Sequence, residues 1–139
     1  MRGQMSNLEK INIIVGWYKG LSKGFNDVDT LIYSRRKLAT HLFELADYVG
    51  NLRGLHNEAH FLRKSAQATA KVDYLSAGES ASSSTILTDK DTFEAQSTEH
   101  AAESKHMRIK LLYESGKDIL SSMVQDIAYL RHEKINSNE

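Results

Sequence analysis

Positively charged residues recur along the first half of the chain at spacings that suit contact with a polyanion. A consecutive Arg-Arg-Lys run occupies 35–37, and Arg53, Lys64 and Lys71 follow at intervals that keep them near one helix face. Such a row could follow phosphate groups with salt-dependent affinity, and Tyr74, one turn beyond Lys71, could stack on a base. The alternative is a solvated helix face whose charges pair with neighbours along the helix. The residues predicted to bind nucleic acid are Lys71, Lys64, Arg63, Arg53, Tyr74, Arg35, Arg36 and Lys37.

Two histidine patterns have spacings that metal sites use. His56 and His60 would share one helix face, but Asn57 stands where a zinc protease places its glutamate. Glu103 and His106 have the Glu-x-x-His spacing of di-iron bundles, and no second copy of that motif follows. The sequence therefore predicts no metal site and no cofactor, with solvated histidines as the simpler interpretation.

Nucleophilic catalysis is not indicated either. The chain has no cysteine, and its serines cluster around 80–84 with no histidine beside them. The glycines at 16, 20 and 24 lack the lysine and hydroxyl residue of a phosphate-binding loop. We therefore expect a protein that is not an enzyme.

Composition limits the class of protein further. The 139 residues include no proline, carry no net charge and are 40% hydrophobic, which favours a folded protein with long helices. Residues 1–75 hold eleven Lys/Arg against seven Asp/Glu, and residues 76–139 hold the reverse. That asymmetry suggests a polyanion-binding surface or head-to-tail pairing between copies. Since neither a long apolar run nor a signal peptide is evident, we expect a cytoplasmic protein without membrane contact.

The apolar spacing predicts the elements that must position these residues. A short amphipathic helix is expected over 6–22, and a long helix over 29–75, with a kink allowed at the glycines of 50–54. A flexible serine-rich loop is expected over 76–86, and a second long helix over 88–135 that begins near a capping Thr88. In the first long helix, leucine or alanine recurs every seventh residue: Leu31, Leu38, Leu45, Leu52, Ala59 and Ala66. The predicted fold is one all-α domain, a long antiparallel, coiled-coil-like helical hairpin with a short N-terminal helix, which self-associates through leftover apolar surface.

The middle of the chain resembles a known family. The segment 66–78 (AQATAKVDYLSAG) resembles the UvsY-type phage recombination mediators, whose helix ends in a basic-Ala-basic-apolar-Asp-Tyr pattern before a polar loop. The segment 85–91 (TILTDKD) resembles that family's entry into its last helix, and 109–131 is similar in helix length and apolar spacing. The resemblance covers roughly residues 55–133.

The resemblance implies a specific role. Proteins of this family bind single-stranded DNA and contact both a strand-exchange recombinase and a single-strand-binding protein. They assemble as closed homo-oligomeric rings and help the recombinase replace the single-strand-binding protein on the DNA. Lys71 matches the second basic position of the family motif, whereas Thr69 stands at the first, so Arg63 and Lys64 would have to compensate. A phage-encoded mediator would act in the host cytoplasm. The alternative function is a non-catalytic coiled-coil assembly or adaptor protein with no nucleic-acid role.

Overall fold

The chain folds almost entirely into helix. A computed structural model describes the backbone of residues 2–137 and the side chains of residues 7–137. About 90% of it is helical and these residues contain no strand, so the all-α prediction, with long helices packed against each other, is confirmed. The four helices are α1 (Arg2–Lys19), α2 (Val28–Ser76), α3 (Ala81–Asp91) and α4 (Phe93–Ser137). No helix within 2–137 has the length and apolar character needed to cross a membrane.

The helices form two compact units. Unit 1 contains the residues up to Val49 together with those from Lys110 onward, and unit 2 is Gly50–Ile109. Both long helices contribute to both units. The helix α2 is unbroken through Gly50 and Gly54, although both glycines lower helix propensity.

Unit 1 has an apolar core supplied by α1, α2 and α4. The leucines that recur every seventh residue on α2 are buried at Leu31, Leu38 and Leu45. Leu42 packs against Gly116, and Ile32 and Ile127 line a common groove, so these stretches of α2 and α4 run antiparallel. The buried apolar residues of this unit are Ile11, Ile14, Leu31, Leu38, Leu42, Leu45, Met123 and Ile127.

Aromatic side chains and a cap order the start of α2 and the end of α1. The Tyr18 hydroxyl donates to Asp126 of α4 at 2.5 Å, and burial together with this bond raises the Tyr18 pKa to about 12. The rings of Trp17 and Phe25 meet edge to face, with centroids 5.8 Å apart. Asp27 caps α2 by accepting the Thr30 backbone N–H at 3.1 Å.

Unit 2 is held together by a more polar set of residues. Leu52 and Ile109 are its buried apolar residues, while Ser84, Thr88, Thr92 and His106 are buried polar ones. His56 faces His106, and His60 faces Glu99, so α2 and α4 are antiparallel in this unit as well. Small hydroxyl residues on α3 allow close packing but add little apolar area to the core.

The prediction of a flexible loop over 76–86 is wrong, because α3 begins within the serine-rich segment. Ser80 is the N-cap of α3, and its hydroxyl accepts the Ser83 backbone N–H at 3.1 Å. The actual turn is short and includes Gly78, whose φ of +93° favours glycine. Thr88 does not start the last helix as predicted; it is buried inside α3, and α4 begins after Thr92.

Candidate nucleic-acid interface

Three of the predicted cations form a row on the surface of α2 in unit 2. The side chains of Arg53, Lys64 and Lys71 are exposed and form no ion pair within residues 7–137. At about 100° per residue they lie within roughly 20° of one another around the helix. The acidic residues Glu58 and Asp73 lie about 120–180° away from this row. We call Arg53, Lys64 and Lys71 the cation row; its positive charge is not neutralised by its own helix.

An exposed aromatic side chain lies beside the cation row and was not among the predicted site residues. Phe61 is 68% exposed and precedes Lys64 by about one helical turn. A phenyl ring in water next to cations is a suitable platform for an unpaired base. The sequence did not identify Phe61 as a site residue, because apolar spacing alone does not distinguish an exposed phenylalanine from a buried one.

Arg63, although adjacent in sequence to Lys64, points to α4 instead of solvent. Its Nε donates to Glu99 Oε2 at 2.5 Å, and its Nη1 donates to Gln67 Oε1 at 2.9 Å. The hydrogen bonds from Arg63 and then His60 lower the pKa of Glu99 to about 2. The charge of Arg63 is thus paired with Glu99, whereas Lys64 forms no ion pair within residues 7–137, and a phosphate contact by Arg63 stays a prediction.

Tyr74 is also directed away from the expected path. It is half-buried, and its hydroxyl donates to the carboxylate of Asp91 at the end of α3, a bond that raises the Tyr74 pKa. The residue therefore joins α2 to α3. This bond to α3 was not expected from the sequence, which predicted a flexible loop there, and the stacking role of Tyr74 stays a prediction.

The two histidines of the i, i+4 pair have separate partners. His60 Nδ1 lies 2.6 Å from Glu99 Oε1, and the His56 ring lies 5.9 Å from that of His106. Within the described part of the chain, no three or more His, Cys, Asp or Glu side chains come together as a metal-ligating group.

The other predicted cations belong to unit 1 and line two grooves. Arg35 and Arg36 line the first groove together with Arg131 of α4. Arg36 and Lys37 line the second together with Lys10 of α1, and Lys37 Nζ lies 4.7 Å from the centroid of the Tyr33 ring. The sequence did not point to Lys10 or Arg131, because each joins the cluster only through helix packing.

The predicted site is thus divided between the units. Unit 2 carries the cation row with Phe61, while unit 1 carries the basic run 35–37 with its new neighbours. No family model, curated protein or solved structure matches this chain.

Proposed function

We propose that the protein is a non-catalytic recombination mediator that binds single-stranded DNA through the cation row and helps load a strand-exchange recombinase. The observation that carries this proposal is the row itself: three exposed cations on one face of α2, without ionic partners among residues 7–137, beside an exposed Phe61. The cations would neutralise phosphates in succession, and binding would release counterions.

The preference for a single strand follows from Phe61. Unpaired bases offer their faces to an aromatic ring, whereas the bases of a duplex are already stacked on each other. Stacking is tolerant of sequence, because every base has a π face. We therefore expect binding that depends little on sequence and is weaker for a duplex of the same length.

Assembly from several copies would strengthen this weak interface. A chain of zero net charge that contributes a few phosphate contacts binds DNA weakly alone, but linked copies multiply the effect. Leu55 and Leu62, one heptad apart, are exposed on the side of α2 roughly opposite the cation row. That position leaves them free to contact another copy while the cations face DNA. The recombinase and single-strand-binding protein enter as partners from the resemblance of residues 66–78.

Salt-dependent anisotropy tests the proposal. We would titrate a labelled single-stranded oligonucleotide, and a duplex control, with wild-type protein and with the Lys64→Gln/Lys71→Gln double variant. Losing two phosphate contacts should flatten the slope of log K against log salt by about 1.4. The matched control is Lys90→Gln/Lys110→Gln, which removes two exposed lysines outside the row and should bind like wild type. Absence of binding at low salt, or equal losses in both variants, would reject the cation row.

The second candidate function is a coiled-coil assembly or adaptor protein. It is favoured by large apolar side chains on the surface of α2 and α4, including Phe43 and Phe93. The same titration separates the two functions, because an adaptor without a nucleic-acid role would not raise the anisotropy of the oligonucleotide at any salt concentration.

A further inference from the structure

An apolar groove with an arginine rim lies between α2 and α4 in unit 1. It has a volume of about 300 Å³ and we call it the arginine groove. Four of its residues are aliphatic and three are arginines. The lining consists of Ile32, Arg35, Arg36, Val124, Ile127, Ala128 and Arg131.

The charge in the arginine groove is one-sided. No acidic residue among the described side chains lines it. Two other grooves, both of which include Leu130 in their lining, do contain carboxylates: Asp126 in one, and Asp27, Asp29 and Glu133 in the other. Arg35 is half-buried and forms no ion pair within residues 7–137. Arg36 and Arg131 are exposed, and Arg131 also lines the neighbouring groove that contains Asp27, Asp29 and Glu133. Three arginines around a groove with no acidic lining residue among the described side chains favour an anionic ligand there.

The floor of the arginine groove distinguishes between kinds of anion. Its side chains are aliphatic, and Val124 is 47% exposed, so the ligand must offer apolar atoms as well as negative charge. A nucleic acid offers phosphates and aromatic base faces, which stack on aromatic rings, and no aromatic side chain within 7–137 lines this groove. A peptide that alternates carboxylates with aliphatic side chains matches both the rim and the floor.

We propose that the arginine groove is a docking site for an acidic, leucine-rich segment of a partner protein. The carboxylates pair with Arg35, Arg36 and Arg131, whose planar guanidinium groups suit bidentate contacts. The apolar side chains of the segment cover Val124 and Ile127. Arg36 also lines the adjacent groove with Lys10 and Lys37, so a longer acidic segment continues there without meeting an acidic lining residue. This site is independent of the cation row and lies in the other unit.

Peptide binding to the full-length protein tests this site. The probe is a short fluorescein-labelled peptide that alternates aspartate with leucine, measured by anisotropy at moderate salt. We expect saturable binding, which weakens about tenfold to a hundredfold in Arg131→Gln because a charge-assisted bond is lost. Val124→Glu, a change at a partly exposed position, should weaken binding similarly by placing a carboxylate among the arginines. Lys64→Gln removes a cation of unit 2 and should leave binding unchanged.

Three results would overturn the proposal. The first is failure of the peptide to bind wild-type protein whose circular dichroism shows it to be folded. The second is equal affinity for a peptide in which serine replaces every leucine, since that would indicate general polyanion exchange. The third is full displacement of the peptide by a single-stranded oligonucleotide whose own binding is lost in Arg131→Gln, which would assign the groove to DNA. None of these depends on whether the cation row binds DNA.

Discussion

Gly116 of α4 lies directly against Leu42 of α2. A Cβ atom built on this glycine would come within 2.7 Å of Leu42 Cδ2. Leu42 is only 4% exposed, so its side chain has little space into which to move. The absence of a side chain at residue 116 is therefore what lets the two long helices approach each other in unit 1.

The same substitution at two helical glycines should have opposite effects on stability. Gly116→Ala should lower the free energy of unfolding by about 1 kcal/mol, because overpacking costs about 1–3 kcal/mol and helix propensity returns up to about 1. Gly54→Ala should raise it by up to about 1 kcal/mol, since nothing lies within 4 Å of the added Cβ. Urea unfolding followed by circular dichroism measures both. If the Gly116→Ala protein were as stable as the Gly54→Ala protein, the close contact between residue 116 and Leu42 would not limit the size of the side chain at 116.

The Glu99 carboxylate should make stability depend on pH in a defined window. Its pKa is about 2 in the folded protein against an ordinary 4.5, because Arg63 and His60 bond to the ionised form. A lowered folded-state pKa stabilises the protein fully above pH 4.5, and that stabilisation is lost as the pH falls toward 2.

Glu99→Gln should therefore be less stable than wild type at neutral pH, and the difference should shrink between about pH 4.5 and 2. Urea midpoints measured across this range provide the test. Glu114→Gln, at an exposed position in the interior of the same helix, is the matched control and should track wild type. A Glu99→Gln difference that is constant with pH would contradict the assigned ion pair.

The Ser80 cap should contribute to the local stability of α3. Ser80→Ala removes the hydroxyl that accepts the Ser83 N–H, and loss of such a cap typically costs about 1 kcal/mol. Hydrogen exchange of the α3 amides should accelerate accordingly. Ser82→Ala, two residues later and exposed, should not change it. If both variants exchange alike, α3 does not depend on its cap.

Phe61 should contribute to binding of single-stranded DNA if the cation row is the interface. Phe61→Ala should weaken binding by about 1–3 kcal/mol, the usual range for one stacked base, with little change in salt slope. Tyr74→Leu removes the aromatic ring and the bond to Asp91, and it should leave DNA affinity unchanged. The reverse pattern, with Tyr74→Leu impaired and Phe61→Ala normal, would support the stacking role predicted for Tyr74.

The fold class could be predicted from the sequence because apolar periodicity and the lack of proline are local signals. The leucine repeat of α2 reports burial in unit 1 directly, and residues such as Leu38 and Leu45 are buried as the repeat predicts. The helix α3 could not be found in this way. Its buried face is Ser84 and Thr88, so it carries no apolar period and looks like a polar loop.

The candidate site was only partly predictable, because sequence spacing places a side chain on its own helix and says nothing about the facing one. Arg63 and Lys64 are adjacent in sequence, but they point in directions about 100° apart around the helix. As a result Arg63 bonds to Glu99, whereas Lys64 lies in solvent. The partner is 36 residues away along the chain. Arg131 joins Arg35 and Arg36 for the same reason, through the packing of α4.

The edge-to-face contact between Trp17 and Phe25 gives this protein a built-in optical reporter. Trp17 is the single tryptophan of the chain and belongs to unit 1. Its emission therefore monitors the environment at the end of α1, whereas far-ultraviolet circular dichroism sums the helices of both units. Coincidence of the two signals during unfolding would indicate one cooperative transition, and separation would resolve the melting of unit 1 from that of unit 2 without any added label.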